Sequence, residues 1–201
     1  PSGPYVVPGT YRVTMALRLN GNLTPVGEPQ TFRAAPLAQG TTTAADRAAL
    51  TAFHQQTARL QRALLGTSQA LTEAETRMRL LRQAIEQTPR APAALGQQAK
   101  ALTERLRDLR EELTGDNVQG NRNEPTPPSI LDRLQRVVGG TWTNTSAPTA
   151  TARRGYDIAS QGLTAFLPKL KGLTDEMQKL SDDAEASGVP WSPGRLPVWR
   201  P

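Results

Sequence analysis

The sequence predicts a mainly α protein: an antiparallel, coiled-coil-like bundle of long helices, preceded by a partial β module and followed by an extended Pro/Trp tail. Three observations carry that prediction. Along three separate stretches of the 201 residues, apolar side chains recur at steps of three and four. Residues 5–35 instead read as β, with residues 11–19 alternating apolar and polar with a period of two. Residues 189–201 hold four prolines and two tryptophans, which suits neither a helix nor a central strand.

The β segment comes first. Tyr11, Val13, Met15, Leu17 and Leu19 alternate with Arg12, Thr14, Ala16 and Arg18. Val7-Pro8-Gly9 punctuates the chain before this run, and Asn20-Gly21-Asn22 ends it as a hairpin turn signal. A second strand is expected at about 30–34. One hairpin is marginal alone and needs more strands or a helical surface over its apolar face. The expectation is that residues 1–36 begin in the middle of a β domain.

From Thr42 the period changes. Leu50, Phe53, Thr57, Leu60, Leu64, Thr67, Leu71, Ala74, Met78, Leu81 and Ile85 keep phase through Gly66. The reading is one helix over 43–88, roughly 70 Å long at 1.5 Å per residue. A bend or a two-helix hairpin at Gly66 stays open, since Gly costs about 1 kcal/mol against Ala. Pro89 and Pro92 end this helix. A second seam, Leu95, Ala99, Leu102, Leu106, Leu109 and Leu113, predicts a helix over 92–114 closed by Gly115.

Residues 116–128 are polar and proline-rich and read as a loop. Ser129, with Asp132 three positions on, is an N-cap signal for a short helix over 129–138 that stops at Gly139-Gly140. Residues 141–147 read as a second loop. The last helix, 149–187, carries Tyr156, Ala159, Leu163, Phe166, Leu170, Leu173, Met177, Leu180 and Ala184 on one stripe. Pro168 lies off the stripe and is expected to kink the helix, and Gly188 ends it. Such stripes gain little from propensity and much from burying one another. Residues 41–188 therefore form the bundle, and 189–201 an extended strap.

Composition narrows function mainly by exclusion. The absence of Cys removes disulfides, thiolate zinc sites and thiol catalysis. The single histidine, His54, removes multi-histidine metal sites. No stretch approaches the roughly 18 apolar residues of a transmembrane helix. The chain opens Pro-Ser-Gly-Pro with no signal peptide, the expected start of a processed or truncated product. The net charge of +6 is spread thinly along the chain with no basic block anywhere, and no aromatic lies between Phe53 and Trp142. Nucleic-acid binders concentrate Lys and Arg on one face, often with stacking aromatics, so no nucleic-acid partner is expected.

The candidate chemistry is sparse. His54 follows Phe53 with no nucleophile or acid at a recognisable spacing, and reads as a surface or flank residue. Glu73, Glu75 and Glu86 could be paired carboxylates, but Arg77, Arg79 and Arg82 nearby favour a solvated face. Asp182, Asp183 and Glu185 lack the glycine-turned loop of a calcium site. Gly139, Gly140 and Gly155 are followed by no Gly-Lys-Ser/Thr, so no phosphate loop is read. No cofactor, metal or catalytic residue is expected. Trp142, Trp191 and Trp199 could stack on a glycan or anchor a partner; burial on the nearest apolar groove is the favoured role. Asn22-Leu-Thr24 and Asn144-Thr-Ser146 match the glycosylation triplet and carry no weight in a Thr-rich chain.

Several motifs point further. They are Glu124-Pro-Thr-Pro-Pro-Ser-Ile130, Arg133 with Val137-Val138, and Thr145-Ser-Ala-Pro-Thr149. With them go Gly188-Val-Pro-Trp-Ser-Pro-Gly-Arg-Leu-Pro-Val-Trp199, Val7-Val-Pro-Gly-Thr-Tyr-Arg-Val13 and Gln30-Thr-Phe32. Together they resemble the C-terminal region of large secreted bacterial proteins with sortilin-type propellers and neuraminidase-like repeats, often labelled glycosyl hydrolases. The terminal Pro-Trp-Ser-Pro-Gly-Arg-Leu-Pro-x-Trp string, with Arg195 at its centre, is the most specific part.

The resemblance implies an exported protein in which a propeller is followed by an immunoglobulin-like β module and then by this helical region. It places residues 1–36 as edge strands of that module and brings no catalytic residue with it. The expected function is a non-catalytic structural or interaction module that docks its own propeller or another envelope subunit. Trp142, Tyr156, Trp191, Arg195 and Trp199 are its candidate anchors. Two alternatives stay open: part of a glycoside hydrolase whose active site lies in a propeller, or a glycan-binding module using the tryptophans.

Overall fold

A computed structural model describes residues 3–36, 42–122, 124–190 and 192–193. It is mainly helical, with an N-terminal two-stranded antiparallel hairpin and five helices packed against each other. Strands β1 (Gly9–Leu19) and β2 (Asn22–Ala34) meet at Asn20-Gly21, where both φ angles are positive (47° and 86°). That is the two-residue turn whose twist matches paired strands. Strand β2 thus begins at Asn22 rather than near residue 30, a correction to the sequence reading. Pro25 and Pro29 lie within it: in a two-stranded sheet each strand is an edge, and a proline can turn its missing donor outward. The register slips between Val13 and Met15, opposite the stretch holding Gly27 (φ 71°), so the irregularity is absorbed as a bulge.

Helix α1 (Ala44–Glu86) starts at a capping box. The Thr43 hydroxyl accepts from the Asp46 amide, and the Asp46 carboxylate accepts from the Thr43 N–H. The helix passes through Gly66 without a break. All eleven residues of its predicted stripe are buried, Leu64 and Leu71 completely. Thr57 and Thr67 tolerate the core because their hydroxyls donate back to Phe53 O and Ala63 O. Helix α2 (Ala93–Thr114) buries the six residues of its own seam. Helix α5 (Ala150–Ala186), capped by Thr149, buries Ala159 to Ala184 and runs on through Pro168 as one helix. At its end the Val189 N–H reaches Ala184 O, and the Val189 side chain joins the core.

Side-chain pairs fix the directions. Arg110 on α2 grips Glu75 on α1 through two hydrogen bonds (3.0 and 2.6 Å), so α2 runs back along α1. Arg105 meets Glu176, and Lys169 meets Glu112, so α5 runs antiparallel to α2. Arg77 meets Gln178 and Phe53 meets Tyr156, so α1 and α5 point the same way. Helix α4 (Ile130–Thr141) packs against α1 and α5 near their N-terminal ends, and so follows α2 as the lower part of one composite rod. In register, Gly155 faces Val137 and Gly162 faces Ile130, one heptad apart.

Two further boundaries differ from the sequence reading. The 116–128 loop contains a single turn of helix, α3 (Asn117–Asn121), because the Asp116 carboxylate accepts from the Val118 and Gln119 amides. Helix α4 does not stop at Gly139-Gly140 but continues to Thr141. Its last turn is tied down from outside: Thr141 is buried, its hydroxyl donates to Val137 O, and its carbonyl binds His54.

Candidate functional site

The hairpin presents the most conspicuous surface. Tyr11, Val13, Met15 and Leu17 of β1 share one face with Val26 and Phe32 of β2, directly paired as Tyr11–Phe32 and Met15–Val26. The Tyr11 and Phe32 rings stack at 5.5 Å, and the Tyr11 hydroxyl donates to Val7 O. The face is nonetheless open: Met15 is 64% exposed, Leu17 57% and Phe32 50%. Among the described residues no third strand pairs with either edge. Scattered exposed apolar residues are ordinary, but a contiguous apolar sheet face marks an interaction site. The helical stripes, by contrast, are closed over one another.

Where the N-terminal arm meets the bundle, the Tyr5 N–H donates to the Trp142 carbonyl (3.3 Å). Trp142 is the C-cap residue of α4 and is half-buried. Its indole N–H is enclosed and has no hydrogen-bond acceptor among the described residues. Tyr156 is half-buried as well and meets Phe53 edge-on at 5.8 Å, while the Arg153 guanidinium lies 5.9 Å from the other ring of that pair, Phe53. Next to Phe53, His54 is 6% exposed, and its Nε2 lies 2.9 Å from Thr141 O. Of the surface or flank position expected from the sequence, the flank is the one found, one residue beyond the stripe and buried. The short helix α4 covers that flank, which no periodicity on α1 announces. Trp191, Arg195 and Trp199 lie outside the described residues.

Below Trp142, α4 and α5 open into a cleft of about 470 Å³. Arg133, Arg136, Val137 and Gly140 form its α4 wall, and Thr151, Arg154, Gly155 and Ile158 its α5 wall, each set spaced i, i+3, i+4, i+7. Gly155 lies at the helix crossing, where a Cβ would come within 2.8 Å of Val137 Cγ2.

Four of the candidate carboxylates are engaged elsewhere. Glu75 serves Arg110, Glu86 pairs with Arg82, Glu73 accepts from Gln69 and Asp182 from Gln178. Hydrogen bonds from Thr43 hold Asp46 below the usual carboxylate range, and the bonded Arg105 does the same for Glu176. Among the described residues no group of three His, Asp or Glu could hold a metal ion, and no helix is long and apolar enough to cross a membrane. No protein-family model, no curated protein and no solved structure matches this chain.

Proposed function

We propose that the chain is a non-catalytic structural and interaction module of an exported sortilin-type propeller protein, and that the hairpin is its docking element. In this reading β1 and β2 are edge strands of an immunoglobulin-like module, whose remaining strands pair with the hairpin's open edges and cover its apolar face. The bundle acts as a coiled-coil-like strut, and residues 189–201 strap its far end. The observation that carries the reading is the uncovered face of Val13, Met15, Leu17, Val26 and Phe32 beside a closed helical core. Completing burial of five such half-exposed side chains is worth on the order of 4–7 kcal/mol, enough to favour docking over a bare hairpin. Strand addition at the free edges would supply backbone hydrogen bonds as well.

Amide exchange tests this. Peptides spanning 10–34 are compared between the 201-residue chain and the native protein isolated from its own cells. Docking predicts protection in the native protein at least tenfold above that in the isolated chain, removed by Met15→Lys with Leu17→Lys. Equal, fast exchange in both overturns the reading. So does a native polypeptide no larger than this chain whose hairpin stays unprotected.

A further inference from the structure

We infer that the cleft between α4 and the start of α5 is a binding site for a small organic phosphate or sulfate monoester, a tetrahedral oxyanion carried on a compact apolar body. Three guanidinium groups line it: Arg133 and Arg136 from α4 and Arg154 from α5. No Asp or Glu is among its lining residues, and among the described residues none of the three guanidinium groups makes a hydrogen bond or ion pair. Elsewhere on the bundle cations and carboxylates are interleaved. The groove between α1 and α2 has Arg79, Arg82, Arg107 and Arg110, but also Glu75 and Glu86. Arg133 borders a second, acidic groove carrying Asp108, Glu111, Glu112 and Asp116, so the tests below rest on Arg136 and Arg154.

The geometry selects the anion. A carboxylate offers two oxygens, whereas a phosphate or sulfate monoester offers three terminal oxygens to guanidinium groups arriving from two walls. The positive end of α5 lies at the same mouth and adds to the field. The remaining lining is largely apolar and includes Leu50 and Ile158, and the volume lies in the range of about 300–1,000 Å³ typical of small-molecule sites. A bare inorganic ion would leave that apolar wall wet. The two walls approach closely at the floor, where a Cβ on Gly155 would come within 2.8 Å of Val137 Cγ2.

Calorimetric titration of the full chain tests the assignment. The probes are phenyl phosphate, phenyl sulfate, benzoate and inorganic phosphate. Saturable 1:1 binding is expected for the two monoesters, weakening with added salt, with benzoate and inorganic phosphate each at least fivefold weaker. Arg136→Gln with Arg154→Gln lowers monoester affinity by about tenfold or more. Arg59→Gln with Arg62→Gln, which removes the same charge from an exposed part of α1 away from the cleft, changes it less than twofold. Amide NMR shifts of the unmodified chain give a readout independent of variant folding and should centre on Gly140, Ser146 and Gly155. The inference is overturned by no saturable binding, by equal loss in the two double variants, by benzoate binding as tightly as the monoesters, or by shifts centred elsewhere.

Discussion

Gly155→Ala is expected to destabilise the bundle, although the same exchange elsewhere on these helices should stabilise it. A helical Gly exchanged for Ala gains about 1 kcal/mol from propensity. At Gly66 and Gly172 a new Cβ meets nothing within 4 Å, so the whole gain should appear. At Gly155 the Cβ would lie 2.8 Å from Val137 Cγ2, well inside ordinary contact. Val137 cannot swing aside: it is 4% exposed, and a β-branched side chain in a helix has one strongly preferred rotamer. The helices must part by more than half an ångström, and such overpacking costs about 1–3 kcal/mol. The net expectation is a loss of up to about 2 kcal/mol for Gly155→Ala against a gain of about 1 kcal/mol for Gly66→Ala. Urea denaturation with linear extrapolation resolves that difference. The cycle with Val137→Ala is decisive: once the valine methyls are gone, Gly155→Ala should turn from harmful to favourable. If Gly155→Ala stabilises the unmodified chain as much as Gly66→Ala does, the α4–α5 contact is not as described and the argument fails.

Three further outcomes follow from the same structure. Pro168→Ala restores a helical amide at an exposed position of α5 and should raise stability by about 1–3 kcal/mol, read as a higher urea midpoint. Removing residues 189–201 takes away the buried Val189 and Ser192 and should lower the melting temperature by a few degrees, roughly what the loss of one buried Val is worth; an unchanged melting temperature would refute a strap. Glu176 is held below the ordinary Glu range chiefly by its hydrogen bonds to Arg105, so the pair stabilises the fold above that range and is lost as pH falls through it. Both side chains are half-exposed and screened, so the effect is at most about 1 kcal/mol, and Glu176→Gln should flatten that part of an acid denaturation curve.

The bundle was legible because its code is repetitive. Eleven stripe residues on α1, six on α2 and those from Ala159 to Ala184 on α5 are buried as their spacing dictates. Steps of three and four survive Gly66 because α5 runs past it and α4 takes over against α1 where α2 ends. What escaped the sequence depends on partners rather than period. His54 is buried because α4 leans on the flank of α1, and Thr141 stays helical beyond two glycines because His54 holds its carbonyl. Strand β2 was half missed; its prolines, fatal in a central strand, are harmless at an edge. The arginine cleft has a helical spacing on each wall, yet only the antiparallel pairing of α4 with α5 brings Arg136 and Arg154 together.

The shared direction of α1 and α5 has a mechanical consequence. The hairpin joins the bundle at the N-terminal end of α1, and Val189 anchors the other end, a helix of 37 residues or about 55 Å away. Tension between those two points would not peel helices apart one turn at a time. It would slide α1 against α5 along their common axis, loading Phe53 to Ile85 and Tyr156 to Ala184 in shear. Every interlocked layer would have to yield together, with the Arg77–Gln178 contact dragged lengthwise. Resistance to such a pull is set by the barrier to this collective slip rather than by the bundle's equilibrium stability.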